Sequence, residues 1–153
     1  MNRNLKKLVS ILCTLIIVLL SSCSVNNEVP YIIGDCYITI GEKTGFWKYC
    51  GMTLEFYNKS NKSINSLEIN GNVYLENNAE SFVNNRINQN YEKISNPHES
   101  IMLRISLDDY LSGMPKNTMK VDQFYVKKIV FADGKSWSDP FGTYAQCVGV
   151  KNE

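Results

Sequence analysis

The chain has 153 residues, with 16 Lys and Arg against 15 Asp and Glu and a formal net charge of +1. Without Arg3, Lys6 and Lys7, the chain has 13 basic and 15 acidic residues, and it contains no block of like charge. Phosphate binding needs a concentrated basic surface, so this balance argues against nucleic acid as a partner. Past an apolar N-terminal stretch, the remaining length suits one domain with its own core.

The N terminus has the layout of a secretory signal. Arg3, Lys6 and Lys7 form a positive region ahead of an apolar run at 8–20. A secretory apolar region is about 7–15 residues long, whereas a membrane-spanning helix needs about 20. The pattern favours a signal peptide over residues 1–22, with an uncleaved anchor helix as the alternative.

The apolar run ends at Leu20-Ser21-Ser22-Cys23. These four residues resemble the lipobox of bacterial lipoproteins, in which a Leu and two small residues precede the Cys that carries the lipid. The resemblance implies cleavage before Cys23, a diacylglyceryl thioether and an added acyl chain such as palmitate, and two or more chains suffice for stable anchoring. We expect residues 23–30 to be a lipidated tether on the extracytoplasmic side of a bacterial envelope, periplasmic or surface-exposed. A plain cleaved signal is the alternative.

From residue 31 onward, apolar side chains recur with a period of two, which is typical of half-buried strands. Gly71 indicates a bulge or kink in one strand, and a change of parity indicates another bulge near Lys127-Lys128. The Asn-rich stretch 77–93 is predicted to be an irregular loop with at most a short edge strand. Strands are predicted over 31–40, 52–57, 64–76, 101–107 and 121–132, after residue 135, and near 144–150.

About seven strands without a strong helix predict an all-β fold, an antiparallel sandwich of two sheets over residues 31–153. The run LEFYNKSNKSI at 54–64 combines a strand, an Asn turn and the start of the next strand. With the segments 106–110 and 129–137, it resembles the small immunoglobulin-like domains of bacterial lipoproteins, including the FxLYD-type group. The resemblance covers most of residues 31–145 and implies an immunoglobulin-like fold but no activity. The Asn-rich stretch and the cysteines depart from the pattern.

Three cysteines lie outside the signal and the lipobox: Cys36, Cys50 and Cys147. A hairpin centred on Lys43 would place Cys36 opposite Cys50 with the same parity, so a disulfide between them is a hypothesis in this oxidising compartment. The alternative is that all three thiols are small buried hydrophobes. The sequence has no Cys-x-x-Cys motif or Cys/His cluster, so we expect neither a metal nor a cofactor.

The register of the C-terminal hairpin determines which face of the sheet Trp137 lies on. Asp133-Gly134 predicts a two-residue type I′ turn, which pairs Val130 with Trp137. If Ile129 faces the core, Trp137 then lies on the other face. Trp47, which precedes the second strand, and Trp137 are therefore candidate binding aromatics on an exposed patch, with core packing as the alternative.

No catalytic residue is assigned from the sequence. His98 is the only histidine, and its place between Pro97 and Glu99 predicts a solvated loop residue. We expect a lipid-anchored envelope or surface protein that acts as a non-enzymatic binding or structural module. Its partners would be the membrane, through the lipid on Cys23, and a glycan, an envelope component or a host protein. The alternative is an envelope enzyme or thiol-redox accessory that uses an unpaired cysteine.

Overall fold

The structure is a computed structural model that describes residues 28–41, 45–75, 84–116, 119–148 and 151–152. Most of those residues lie in strands, with one 3-10 turn at Asp108–Tyr110, and they include no helix able to cross a bilayer. The strands are β1 Tyr31–Ile40, β2 Cys50–Asn58, β3 Ile64–Leu75, β4 Arg86–Ser95, β5 Ser100–Ser106, β6 Met119–Phe131, β7 Ser136–Ser138, β8 Gln146–Val148 and β9 Lys151–Asn152. The predicted all-β class is confirmed.

The strands form two sheets. The first has the order β5-β2-β1-β9 and the second the order β4-β3-β6-β7, with β8 also paired to β6. All neighbours are antiparallel except β1 and β9. In the lettering of immunoglobulin domains, β1, β2 and β5 take the places of strands A, B and E, and β4, β3, β6 and β7 those of C′, C, F and G. The predicted antiparallel sandwich of two sheets is the observed fold.

The core lies between the sheets, where inward positions alternate with polar outward ones. Tyr31 joins the two layers near the start of the domain. Its ring stacks on Phe56 at 5.7 Å between centroids, and its hydroxyl accepts the N–H of Val126 on the other sheet at 3.3 Å. The largest fully buried side chains are Phe56, Phe124, Met52, Leu54, Ile64, Ile69, Ile87, Leu103, Leu107, Met119, Ile129 and Val73.

Both predicted irregularities in the second sheet are present. Glu68 lies opposite Lys128 and Ile69 opposite Val126, so Lys127 is the extra residue of a bulge. The register shifts again at Gly71, with the extra residue on β6. A Cβ at Gly71 would lie 3.1 Å from the Phe124 ring, so the missing side chain makes room for that phenylalanine.

The first hairpin differs from the prediction. Cys50 lies opposite Ile40 and Cys36 opposite Leu54, because the connection between β1 and β2 is longer than a hairpin centred on Lys43 allows. Four residues along a strand span about 13 Å. A disulfide needs Cα atoms within about 7 Å. Both thiols are free and buried, so the hypothesis of a Cys36–Cys50 disulfide is wrong.

The C-terminal hairpin also has a different register. The N–H of Gly134 donates to the Phe131 carbonyl at 3.0 Å, and Gly134 has a φ of 78°. This is a three-residue loop that ends in a left-handed glycine, not a two-residue turn. Trp137 therefore lies opposite Ile129, not Val130. A shift of one residue moves a side chain to the other face, so Trp137 packs toward the core.

The Asn-rich stretch forms more structure than predicted. Residues 76–83 lie outside the described part, but β4 is a ten-residue edge strand paired with β3. Its inward Ile87 is fully buried, and Tyr91 packs against the core. Pairing and burial outweigh the low strand propensity of Asn, which is tolerated at the solvated positions of an edge.

Candidate functional site

The outward face of the second sheet carries a set of polar side chains. The register places Asn72 opposite Arg86, and Asn70 opposite both Asn88 on β4 and Tyr125 on β6. Because successive strand residues alternate between faces, the inward neighbours of these residues build the core while the amides collect outside. The Asn-rich segments therefore form a polar surface over strands β4, β3 and β6 of this sheet.

A loop at 139–145 stands over one end of that surface. The buried Asp139 carboxylate accepts the backbone N–H groups of Thr143 and Tyr144, each at 2.9 Å. Its own N–H donates to the Lys127 carbonyl at 2.9 Å, which fastens the loop to β6. Burial raises the pKa of Asp139, but the backbone N–H groups outweigh it and hold this pKa below its ordinary value. The carboxylate is therefore ionised at neutral pH and fixes the loop.

The loop and the sheet enclose an open cleft of about 380 Å³. Gly142 lies against the ring of Tyr125, where an added Cβ would be 3.1 Å from Cε1. Phe141 stands at the rim with 92% of its surface exposed. Small-ligand clefts usually measure about 300–1,000 Å³. The lining residues are Asn70, Gly71, Asn72, Arg86, Gln123, Tyr125, Phe141, Gly142 and Ala145.

Asn70 is the unusual residue of the cleft. Its side-chain NH₂ donates to the Tyr125 hydroxyl at 3.1 Å, and only 3% of the residue is exposed. Its Oδ1 atom has no hydrogen-bond partner among the described residues. Turning the amide over would exchange its two ends and leave the NH₂ group unpaired instead. A buried polar group without a partner costs about 1–3 kcal/mol, so such groups usually have a role.

Further hydrogen-bonding groups line the same cleft. The Asn72 NH₂ group donates to Gln123 Oε1 at 2.8 Å. Gln123 has a φ of 50°, a left-handed conformation rare for a residue with a side chain, and it lies in the bulge opposite Gly71. Arg86 is exposed and belongs to none of the three ion pairs found among the described residues. The cleft thus offers amide donors and acceptors, a hydroxyl and a guanidinium around one exposed phenyl ring.

The two predicted binding aromatics lie elsewhere. Trp47 covers Gly51 on the outward face of the first sheet, with 4% of its surface exposed, and its Nε1–H donates to the Gly41 carbonyl at 3.2 Å. Trp137 is half-buried between Tyr31 and Tyr144, at 5.6 and 6.0 Å between ring centroids. The hypothesis of an exposed patch built on these indoles is wrong, because Trp47 is buried against Gly51 and Trp137 faces the core.

The predicted cysteines are placed as follows. Burial raises the pKa of both the Cys36 and Cys50 thiols to about 12, and the nearby Asp108 charge adds to the effect at Cys50. Cys147 belongs to β8, but its side chain lies outside the described part. Cys23 also lies outside the described residues.

His98 lies in the turn before β5 with a φ of 58°, and its Nε2 is 2.8 Å from the side-chain oxygen of Asn61. It is exposed, as predicted for a solvated loop residue. Within the described ranges, no group of three or more His, Cys, Asp or Glu side chains is placed to hold a metal ion.

Sequence reasoning missed the cleft, although part of its signal was present. Asn70 and Asn72 alternate with the buried Ile69 and Val73, which marks them as neighbours on one outward face. Nothing local indicates that Phe141 lies above them, because its loop is positioned by contacts with β6. No protein-family model, curated protein or solved structure matches this chain.

Proposed function

We propose that this chain is a lipid-anchored protein of the bacterial cell envelope that acts as a non-enzymatic binding module, with the 139–145 cleft as its ligand site. The observation that supports binding there is Asn70, a buried amide that lines the cleft and whose Oδ1 has no hydrogen-bond partner among the described residues. A ligand towards which this amide turned would remove a cost that the free protein bears.

The support for the anchor comes from the sequence alone. Leu20-Ser21-Ser22-Cys23 closes a signal-like segment, and the resemblance to a lipobox points to Cys23 as the lipidated residue. The sandwich begins at Tyr31, so only a short tether separates it from that cysteine.

The position of the cleft suits such an anchor. The N–H of Lys59 donates to the Pro30 carbonyl at 2.9 Å, so the tether joins the sandwich beside the turn that leads into β3. Asn70 lies six residues along β3 from Ile64, about 20 Å from that end. A ligand in the envelope space could therefore reach the cleft of the anchored protein.

The alternative, an envelope enzyme or thiol-redox accessory, gains no support from Cys36 and Cys50. A reactive cysteine acts as the thiolate and needs access to its substrate. Both thiols are buried with a pKa raised to about 12, so the thiolate is scarce at neutral pH. This alternative therefore rests on Cys147.

The anchor is tested with the full chain expressed in a bacterium. We expect the intact mass of a polypeptide that begins at Cys23 and carries a diacylglyceryl group and a further acyl chain, recovered in the membrane fraction. Cys23→Ala is the control, and it should abolish lipid labelling. A mature form without lipid, or a membrane-bound form that retains residues 1–22, would contradict the proposal.

Binding at the cleft is tested without knowing the ligand. Backbone hydrogen exchange of the processed full chain in detergent is compared with and without an extract of the native envelope. We expect slower exchange in residues 68–74, 121–127 and 139–145, and a loss of this protection in Asn70→Leu. Protection confined to the outward face of the first sheet, or none at all, would contradict the proposal.

A further inference from the structure

Phe141 suggests the chemistry of the ligand. A phenyl ring that is 92% exposed contributes little to the core, yet the Asp139 carboxylate holds its loop in one place through two backbone N–H bonds. The ring lines the same cleft as the amides of Asn70, Asn72 and Gln123. A ligand that fits both must be apolar on one flat face and polar around its edge. The face of an aromatic ring carries a partial negative charge and attracts polarised C–H groups.

The polar groups point to the same kind of ligand. The amides of Asn70, Asn72 and Gln123 each donate and accept hydrogen bonds, and the Tyr125 hydroxyl does both as well. Hydroxyl groups of a sugar have the same double capacity. The side chains of Asn72 and Gln123 and the Arg86 guanidinium offer donors and acceptors to neighbouring hydroxyls, and the buried Asn70 beside them has an unpaired Oδ1.

The lining of the cleft disfavours other ligand classes. An apolar ligand would strip water from the amides without replacing its hydrogen bonds. Nucleic acid would need several cations, and Arg86 is the one cationic side chain among the described residues that line the cleft.

We propose that the cleft binds a carbohydrate, with one pyranose ring stacked on Phe141 and its hydroxyls bonded to Asn70, Asn72 and Gln123. This inference rests on the proposed function, because it names the ligand class of the same site. The same chemistry is found in envelope glycans and in external polysaccharides, so the test must separate these two sources.

The test uses the processed full chain in detergent and three disaccharides: N-acetylglucosamine linked to N-acetylmuramic acid, cellobiose and digalacturonic acid. Binding is measured from saturation-transfer signals and titrations by nuclear magnetic resonance. We expect at least one disaccharide to bind, and Phe141→Ala to weaken its binding by about tenfold or more. Preference for the amino-sugar disaccharide would assign an envelope glycan, and preference for either other sugar an external polysaccharide.

Two control variants keep this test informative. Phe46→Ala removes a second exposed phenylalanine, on the first sheet's side, and should leave sugar binding unchanged. Asn70→Leu should weaken binding while changing the free energy of unfolding little, because the unpaired buried Oδ1 is removed together with the hydrogen bond to the Tyr125 hydroxyl. An asparagine with a merely structural role would lose stability instead.

The outcomes also separate this inference from the proposed function. A disaccharide that binds should also compete with the envelope extract for the protected segments of the cleft. If the extract protects the cleft and no disaccharide binds, the carbohydrate is excluded while the binding module stands. If neither the extracts nor the sugars protect the cleft, both proposals are wrong.

Discussion

Two loops of the sandwich are each fastened by one carboxylate that accepts backbone N–H groups. Asp108 accepts three of them, at 2.6, 2.8 and 3.1 Å, from the loop that precedes β2. Asp139 accepts two in the loop that precedes β8. The first loop places the Trp47 indole flat on its sheet, whereas the second leaves the Phe141 ring in solvent above a cleft.

The surface beneath each loop accounts for the difference. The first loop lies over Gly51, and a Cβ at that position would be 2.0 Å from the Trp47 ring. The indole therefore occupies the space that a side chain at residue 51 would fill. The second loop lies over the side chains of Tyr125 and Asn70, and its Gly142 rests on the Tyr125 ring while the Phe141 ring stays exposed. Similar anchors therefore produce a closed surface on one sheet and an open one on the other.

The largest expected effect is a difference in the free energy of unfolding between variants that remove the Trp47 ring and the Phe141 ring. Trp47→Ala should lower the free energy of unfolding by about 3 kcal/mol, because it removes a covered indole. Phe141→Ala should change it by less than about 0.5 kcal/mol, because its ring is in water. Urea unfolding followed by circular dichroism measures both. Equal losses of stability in the two variants would contradict the assignment of Trp47 as a packed ring and Phe141 as an exposed one.

A second prediction concerns the packing of the Trp47 indole on Gly51. Gly51→Ala should displace Trp47 and cost about 2 kcal/mol, since the ring cannot share the space with a methyl group. The tryptophan emission should move to longer wavelength. Gly113→Ala is the matched control, because an added Cβ there meets nothing within 4 Å. An unshifted spectrum in Gly51→Ala would contradict the packing of Trp47 on this glycine.

Features with a local cause were predictable from the sequence. The alternation of apolar and polar residues predicts where the strands lie. The inward positions change parity between Val126 and Ile129, and this local change predicts the bulge at Lys127. The arrangement in two sheets follows from the general preference of about seven short antiparallel strands for a sandwich.

Features with a distant cause were not predictable. The register of the first hairpin depends on Asp108, some 60 residues away from the N–H groups it binds. The face of Trp137 depends on whether Gly134 ends a three-residue loop or completes a two-residue turn, and both agree with the same sequence. The cleft requires Asn70 and Phe141 to meet, which only the folded sheet and the anchored loop bring about.

A third prediction uses acid to compare the two anchors. Burial raises the pKa of Asp108, but three backbone N–H groups outweigh it, so this pKa, like that of Asp139, lies below its ordinary value. Such a group stabilises the fold above its unfolded pKa of about 4, and the contribution is lost as the pH falls through the lower folded value. Asp108→Asn and Asp139→Asn should each lower stability by about 1–2 kcal/mol at pH 7.

The measurement is a series of urea midpoints between pH 7 and pH 3. The difference between the wild type and each variant should shrink below about pH 4. Asp108→Asn should have the larger effect, because Asp108 accepts one more backbone N–H. A difference that stayed constant with pH would contradict the assignment of these carboxylates as charged anchors.

The smallest expected effect concerns the reactivity of Cys36 and Cys50, the two buried thiols of the first sheet. Cys50 donates its backbone N–H to Asp108, whereas Cys36 lies farther along the same sheet opposite Leu54. Neither thiol should react with iodoacetamide at pH 8 in the folded protein, because both are buried and their pKa is raised to about 12. Peptide mapping by mass spectrometry before and after unfolding checks this, with and without reductant.

Loosening the first loop should then act on one cysteine more than on the other. Asp108→Asn weakens the bond to the backbone N–H of Cys50 at the start of β2, so this thiol should be alkylated sooner than Cys36, while Phe141→Ala should alter neither rate. Equal acceleration at both cysteines would indicate unfolding of the whole sheet, and the Asp108 loop would then be part of the core. Selective acceleration at Cys50 would show that Asp108 holds the start of β2 in place independently of the rest of the sheet.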